Sequence, residues 1–492
     1  MRFSRRTLLS STLSAALPRV SAATIPVHGA VPSARQLAWH RLEVYAFLHF
    51  TVNTFTDKEW GYGDEDPSLF NPTDFDANAI VSALKNGGMR GVILTCKHHD
   101  GFCLWPTDTT GHSVRSIRWR NGKADVVAEI AQAARKYGLQ FGVYLSPWDR
   151  NAASYGAPEY VTMYRRQLRE LLTRYGPVFE VWHDGANGGE GFYGGAREKR
   201  TIDKRTYYDW PRTWDLVREL QPNAVIFSDV GPDIRWVGNE RGFAGETCWA
   251  THDPAAPDGG APAPGLVKER ELGTGTRGGS RWLPPECDVS IRPGWFWHEK
   301  ENDRVKTPAQ LMNLYYRSVG RGGSFLLNVP PDRRGLLHEK DVDSLRGFGA
   351  AVRSTFASNL AARAAVNASS ELDREHRAAN LLAGERTKAW AAKPEDSSRE
   401  VTFQLSKPAR FNVIRVREDI RFGQRVDSIA FEKQGGAGWE PLVSATSIGS
   451  CRLIRLEKPV EAAAVRMKVT QASAAPVLSD FGLFLEQEAG IL

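Results

Sequence analysis

The residues of this chain best suited to chemistry gather at the ends of short apolar runs. Val178-Phe179-Glu180-Val181-Trp182-His183-Asp184-Gly185-Ala186 is an apolar run that ends in a carboxylate followed by glycine. If a strand runs to about Asp184, its period of two puts Trp182 and Asp184 on one face and His183 on the other. An aromatic platform then stands beside a carboxylate at the C-terminal end of the strand. In a barrel of parallel strands, that end is where reacting groups collect. The same Asp-Gly pair also serves an ordinary turn or helix cap. His49, Glu59-Trp60, His98-His99, Tyr144, Trp148 and Gly231-Pro232-Asp233-Ile234-Arg235-Trp236-Val237-Gly238-Asn239-Glu240 stand at comparable strand ends.

Three kinds of site fit these residues. His49, His98 and His99 with a carboxylate offer metal ligands, but adjacent histidines on extended backbone point apart and no HExxH spacing is present. Any single histidine is also explained as a satisfied polar residue. The third kind is sugar hydrolysis by two carboxylates. A retaining glycosidase needs an ionised nucleophile and a protonated acid roughly 5–5.5 Å apart. Asp184 and Glu240 are 56 positions apart, so their pairing depends on the fold.

The elements that must position them alternate between strand-like and helix-like patterns from about 40 to 330. Strands are expected at 44–50, 91–96, 139–145, 178–186, 224–229 and 324–329. Helices are expected at 74–86, 124–137, 158–175, 208–220 and 307–319, while 240–300 is dense in Pro and Gly. Repeated β-then-α units imply a parallel sheet, and about eight of them fit a (β/α)8-type barrel. A doubly wound sheet is disfavoured, because no Gly-rich phosphate loop follows the first strand. After about Thr355 the pattern changes to short alternating runs with turn signals, which suits an all-β sandwich. The division expected is 1–23, 24–354 and 355–492.

Taken together, His49-Phe50, Glu59-Trp60, Lys97-His98-His99-Asp100-Gly101-Phe102, Val181-Trp182-His183-Asp184-Gly185 and Trp236-Val237-Gly238-Asn239-Glu240 resemble the α-L-fucosidases of glycoside hydrolase family 29. The resemblance covers roughly residues 40–330. It implies a retaining enzyme on a barrel, with Asp184 as nucleophile and His49, Glu59, Trp60, His98 and His99 binding fucose. The segment from Gly231 to Glu240 is similar to the branch that cleaves α-1,3- and α-1,4-linked fucose, which places the acid/base on Glu240. Glu246 is the rival and Glu286 a more distant one. Tyr144 and Trp182 join the sugar-binding set. Arg235 is expected to hold the nucleophile or the sugar, with a structural salt bridge as the alternative. Trp295 and Trp297 are candidates for the pocket wall, with loop packing as the alternative. His183 departs from the family pattern, where Phe or Asn is expected, and alternation turns it away from the cleft. The second domain is similar to the discoidin-like modules appended to such enzymes. A broader fucosidase accepting α-1,2 or α-1,6 linkages and a non-catalytic fucose-binding lectin are the competing functions.

Composition bounds the rest. At 41% hydrophobic and 25% charged residues, the chain has the balance of a soluble globular protein. Its five cysteines are dispersed without a CxxC pair, which gives neither a disulfide framework nor a zinc site. Arg2, Arg5, Arg6 and Arg19 supply four of the seven net positive charges, and residues 1–23 hold no acid. The remainder shows no basic run interleaved with aromatics, so nucleic acid is not an expected partner. The basic start, a modest apolar stretch and Ser21-Ala22-Ala23 read as a secretory signal of twin-arginine type, implying bacterial export to the periplasm or beyond. That stretch is too short and polar to remain as a membrane span. The expected partners are fucosylated oligosaccharides or glycoconjugates, and no metal or organic cofactor is expected.

Overall fold

Eight strands close into a parallel barrel in the computed structural model, which describes residues 24–436 and 438–486. The expected leader, residues 1–23, lies outside the described residues. The strands are β1 (Val44–Leu48), β2 (Gly91–Lys97), β3 (Gln140–Leu145), β4 (Glu180–Trp182), β5 (Val225–Ser228), β6 (Ile234–Trp236), β7 (Pro285–Ser290) and β8 (Ser324–Asn328). They follow chain order around the ring, each parallel to the next, and β8 closes on β1. Every residue of β1, β2, β7 and β8 is buried, because side chains fill the barrel on one face and helices cover the other.

The long helices around the barrel are α1 (Ala77–Asn86), α2 (Val126–Tyr137), α3 (Pro158–Arg174), α4 (Trp210–Leu220), α5 (Pro308–Arg317) and α6 (Glu339–Phe356). Three start slightly later than the apolar pattern suggests, because the residue before each is a cap. Asp76, Asp125 and Thr307 accept hydrogen bonds from the first free backbone N–H groups. Gly138 ends α2 in the left-handed conformation at φ +69°.

One departure bears on the site. Residues expected only as part of a mouth segment, Ile234–Trp236, are themselves a barrel strand, reached from β5 through residues 229–233 without a helix. A parallel neighbour ordinarily needs a much longer crossover. Here buried Asp233 ties the link down. Its carboxylate accepts from Ile226 N at 2.7 Å and pairs with Arg35 at 3.1 Å and with Arg218. The long connection from β6 to β7 holds only one short helix, Glu269–Leu272, so it takes the place that helices occupy elsewhere around the barrel.

The C-terminal unit is an antiparallel sheet of seven strands: β9 (Ala365–Ala368), β10 (Trp390–Ala391), β11 (Glu400–Glu418), β12 (Val426–Gly435), β13 (Gly438–Thr446), β14 (Arg452–Ala472) and β15 (Val477–Phe484). The long strands β11 and β14 carry register shifts, which let the sheet fold over on itself. Phe403 pairs in the sheet with Val465 and Phe481 with Val416, yet the two rings stack at 3.7 Å. That contact requires two layers facing one core, as in a sandwich.

Candidate active site

The barrel puts Trp182 and Asp184 where alternation requires. Trp182 lies against Phe227 with ring centroids 4.0 Å apart and floors a pocket at the C-terminal ends of the strands. Asp184 opens into that pocket, with about a fifth of its side chain exposed. It accepts from Tyr144 Oη at 2.9 Å and from Ala186 N at 2.7 Å. Burial raises its carboxyl above the ordinary aspartate value, while these two donors favour the charged form. His183 turns outward, its Nδ1 lying 2.9 Å from Tyr164 Oη in the helical shell.

On extended backbone, adjacent histidines would point apart. Both His98 and His99 line the pocket, with ring centroids 4.1 Å apart. Strand geometry ends at Lys97, and a turn follows in which Gly101 N donates to His98 O. Alternation therefore no longer applies where the histidines stand. Lys97 still points outward, its ammonium buried among Asp149, Tyr160 and Gln167.

The protein sets the tautomers of two rings. Ser146 Oγ donates to Trp148 O at 2.6 Å, so it must accept from His99 Nδ1–H at 2.7 Å. His99 Nε2 then offers a lone pair, 3.9 Å from Asp184 Oδ2. Asn328 Nδ2 donates to Trp295 O and Ser290 Oγ, so its Oδ1 accepts from His49 Nδ1–H at 2.9 Å. His49 Nε2 is likewise left as an acceptor. Burial holds both rings neutral, pushing each down to about 3. Among the described residues, no group of His, Cys, Asp or Glu is arranged to hold a metal ion.

Glu240 lines the same pocket at its rim and accepts from the Trp295 indole at 3.3 Å. Partial burial raises its carboxyl above the ordinary glutamate value. The indole N–H opposes this, and the charges of Asp184 and Glu59 reinforce it. Trp60, half exposed, stands edge-on to His99 and Trp148.

Several expected residues lie elsewhere. Glu59 does not line the pocket. It accepts from Trp295 N at 2.8 Å, Phe296 N at 3.2 Å and His298 Nε2 at 2.6 Å, and so holds the segment that presents Trp295. Arg235 is fully buried, and its guanidinium donates to the carbonyls of Leu272, Trp249 and Leu283. It holds neither nucleophile nor sugar, because its side chain faces the long connection after β6. Trp297 is buried beside Arg333, and the wall position belongs to Trp295. Glu246 is exposed and paired with Arg321 and Arg452, away from the pocket. Glu286 is sealed beneath Trp182, accepting its indole at 2.7 Å and the Tyr45 hydroxyl. Burial there raises the carboxyls of Glu286 and neighbouring Glu180 above the ordinary glutamate value.

Two lining residues were not anticipated. Asp288, on β7, faces the pocket and accepts from Trp236 Nε1 at 2.8 Å, and Phe47 packs between His49 and Trp182. The alternation Glu286, Asp288, Ser290 is the signal that marks the inward face of β7.

A pocket with an aromatic floor, lone-pair acceptors and carboxyl groups suits one small sugar. Residues 27–354 match the family model for alpha-L-fucosidase, and residues 365–480 match that for the F5/8 type C domain. The chain is 44% identical to Alpha-L-fucosidase 1 of Arabidopsis thaliana over 469 residues, covering 94% of this chain and 88% of that protein. It superposes with a TM-score of 0.83 on a glycoside hydrolase 29 family member from an unknown rumen bacterium, at 42% identity over 94% of this chain and 78% of that one. A Ruminococcus gnavus GH29 fucosidase, solved in complex with fucose, gives a TM-score of 0.84 at 31% identity, covering 95% and 97%. The chain belongs to the α-L-fucosidases of glycoside hydrolase family 29, with an F5/8 type C domain following the barrel.

Proposed function

We propose that the protein is a retaining exo-α-L-fucosidase that releases α-1,3- and α-1,4-linked L-fucose from Lewis-type or other branched glycans. The observation that carries this reading is the shared pocket of Asp184 and Glu240. Asp184, oriented by Tyr144 and Ala186, attacks the anomeric carbon as the glycosidic bond breaks. Glu240 gives its proton to the departing oxygen, and its raised affinity for that proton suits an acid at neutral pH. Water then attacks the fucosyl-enzyme, Glu240 takes its proton, and Asp184 leaves with configuration retained. His49 and His99 accept hydrogen bonds from sugar hydroxyls, and His98 lines the pocket beside them. Trp182 and Phe47 carry the apolar face of the ring, while Trp295 and Trp60 stand at its edge.

The linkage reading rests on the similarity of the Gly231–Glu240 segment to the α-1,3/1,4 branch. Residues 24–354 are assigned as the catalytic unit and 355–492 as the appended module. Residues 1–23 are assigned as an export leader that delivers the enzyme to fucosylated glycoconjugates outside the bacterial cytoplasm.

A substrate panel tests the reading. Wild type, Asp184→Ala and Glu240→Ala are compared on a Lewis-type trisaccharide, on an α-1,2-fucosylated lactose and on an aryl fucoside. Wild type is expected to release fucose from the branched trisaccharide only, among the oligosaccharides. Asp184→Ala is expected to be inactive throughout. Glu240→Ala should regain activity on the aryl fucoside, whose leaving group needs little acid help. A fluorinated fucosyl adduct on Asp184, seen by mass spectrometry, is the mark of retention. Preference for the α-1,2 linkage would overturn the linkage assignment. Fucose binding without turnover or adduct would leave a lectin.

A further inference from the structure

The chain that leaves Glu240 does not form a helix. It runs down the outer side of β7, with Gly242 against Val289 and with Ala244 and Cys248 packed on Cys287. At φ +75° and with Val289 in close approach, Gly242 has no room for a side chain. A short turn carries Glu240 itself, where Asn239 accepts from Arg241 N and donates to Phe243 O. Its upstream end is fixed just after β6, where Val237 N donates to Glu286 O.

The downstream end is gripped by the C-terminal module. Gln424 accepts from Ala250 N at 2.8 Å and donates to Cys248 O at 3.1 Å, so its amide mimics a neighbouring strand. Ser447 Oγ accepts from Cys248 N at 3.0 Å and donates to Cys248 O at 2.9 Å. Arg452 donates to Glu246 O at 2.6 Å and pairs with the Glu246 carboxylate. That carboxylate also binds Arg321, which donates to Ala244 O at 2.7 Å. Gln424, Ser447 and Arg452 are all buried. Backbone groups buried this way are costly to leave unpaired, so the clamp has one arrangement.

We infer that Gln424, Ser447 and Arg452 of the module are positioning residues for the general acid, holding the Glu240 segment in register with the Asp184 pocket. Glu246, the rival acid, is the hub of this clamp. The inference rests on Glu240 being the acid. The module's part in the reaction is thus mechanical support for proton transfer. Such support affects substrates unequally, because only a poor leaving group depends on the acid.

The test compares full-length wild type, Gln424→Ala/Ser447→Ala, Glu240→Ala and Arg386→Ala. Arg386 joins the same module to the barrel at Glu43 and not at the segment that follows Glu240. Each enzyme is assayed on methyl fucoside and on nitrophenyl fucoside, with melting temperatures recorded. For the double variant, kcat/KM on methyl fucoside is expected to fall about tenfold further than on nitrophenyl fucoside, since small misplacement of a reacting group is expensive. Arg386→Ala should change both substrates alike. If the double variant also changes both alike, or neither, while Glu240→Ala shows the split, the clamp has no part in proton transfer. If Glu240→Ala itself shows no split, the acid assignment falls and takes the inference with it. Should the double variant fail to accumulate, Arg452→Lys makes the same comparison with the same outcomes.

Discussion

At His183 a single ring nitrogen links sequence to acid stability. The Tyr164 hydroxyl donates to Leu145 O at 3.0 Å, so it accepts from His183 Nδ1–H, and His183 Nε2 is buried without a partner. Burial pushes the ring down to about 3. The unfolded chain, by contrast, takes up a proton near 6.5. A depressed histidine supports the fold fully above 6.5, and that support is lost as pH falls toward 3. His183→Phe is expected to cost about 1 kcal/mol at pH 7, from the lost hydrogen bond. Between pH 7 and pH 5 it should recover about 2 kcal/mol relative to wild type, because one protonation site of the unfolded chain is gone. Urea titrations at the two pH values measure this. Parallel losses in both proteins would mean that the ring protonates within the fold. Activity should be unchanged, since the ring faces Trp210 and Tyr164 rather than the pocket. The lone pairs at His49 and His99 are set by the same kind of hydrogen-bond bookkeeping, and there it orients the groups that meet the sugar.

At the scale of elements, the site is assembled by carboxyl–indole pairs that join separate segments: Glu286 with Trp182, Asp288 with Trp236, and Glu240 with Trp295. Glu59 adds a backbone clamp on the last of these. Glu59→Ala frees two N–H groups and releases Trp295 from its place beside His49, 5.1 Å away, and beside Glu240. Its kcat/KM on an aryl fucoside is expected to fall about tenfold to a hundredfold. Trp295 should also become more solvent-exposed, read by fluorescence quenching against a Trp295→Phe reference. Unchanged quenching would mean that the segment is held without Glu59. The strand ends that carry Asp184, His49 and Tyr144 were legible, because short apolar runs lead into each one. The turn at His98-His99 was not, since strand periodicity stops one residue earlier. Ile234–Trp236 escaped because a three-residue strand carries almost no periodic signal. In the module, residues 406–410 are mostly exposed and lie at a register shift, which interrupts the apolar alternation along β11. The strand β13 has no buried alternating face and so carries no periodic signal.

For the whole molecule, the module packs against the barrel floor, opposite the mouth. Val413, Cys451, Leu453 and Phe484 share one buried cluster with Leu314, Tyr315 and Phe348 of the barrel helices, so the apolar core is continuous across the joint. Module residues meet Glu43, just before β1, and Gly320, just before β8, which places them at the N-terminal ends of the strands. The sugar pocket therefore closes without the module, whose influence on it passes through the long connection after β6. Glu43 is the ionic centre of the joint, a buried carboxylate held by Arg386 and, at 2.8 Å, by Arg417. Burial opposes its charge, but Arg417, Arg386 and Arg90 outweigh burial and bring it down to about 2. A depressed carboxylate supports the fold above its unfolded value, near 4.5, and that support is lost as pH falls through 2. Glu43→Gln leaves two guanidiniums beside a neutral amide, one of them buried. It is expected to cost about 3–5 kcal/mol at pH 7, the usual penalty for breaking a buried pair from one side. The difference from wild type should shrink by about 3 kcal/mol as the pH approaches 2, because wild type loses the same charge by protonation. Paired urea titrations at pH 7 and pH 3 follow the trend. A deficit that stays constant with pH would mean that Glu43 acts through shape, and that the charge at the joint contributes nothing to holding the two units together.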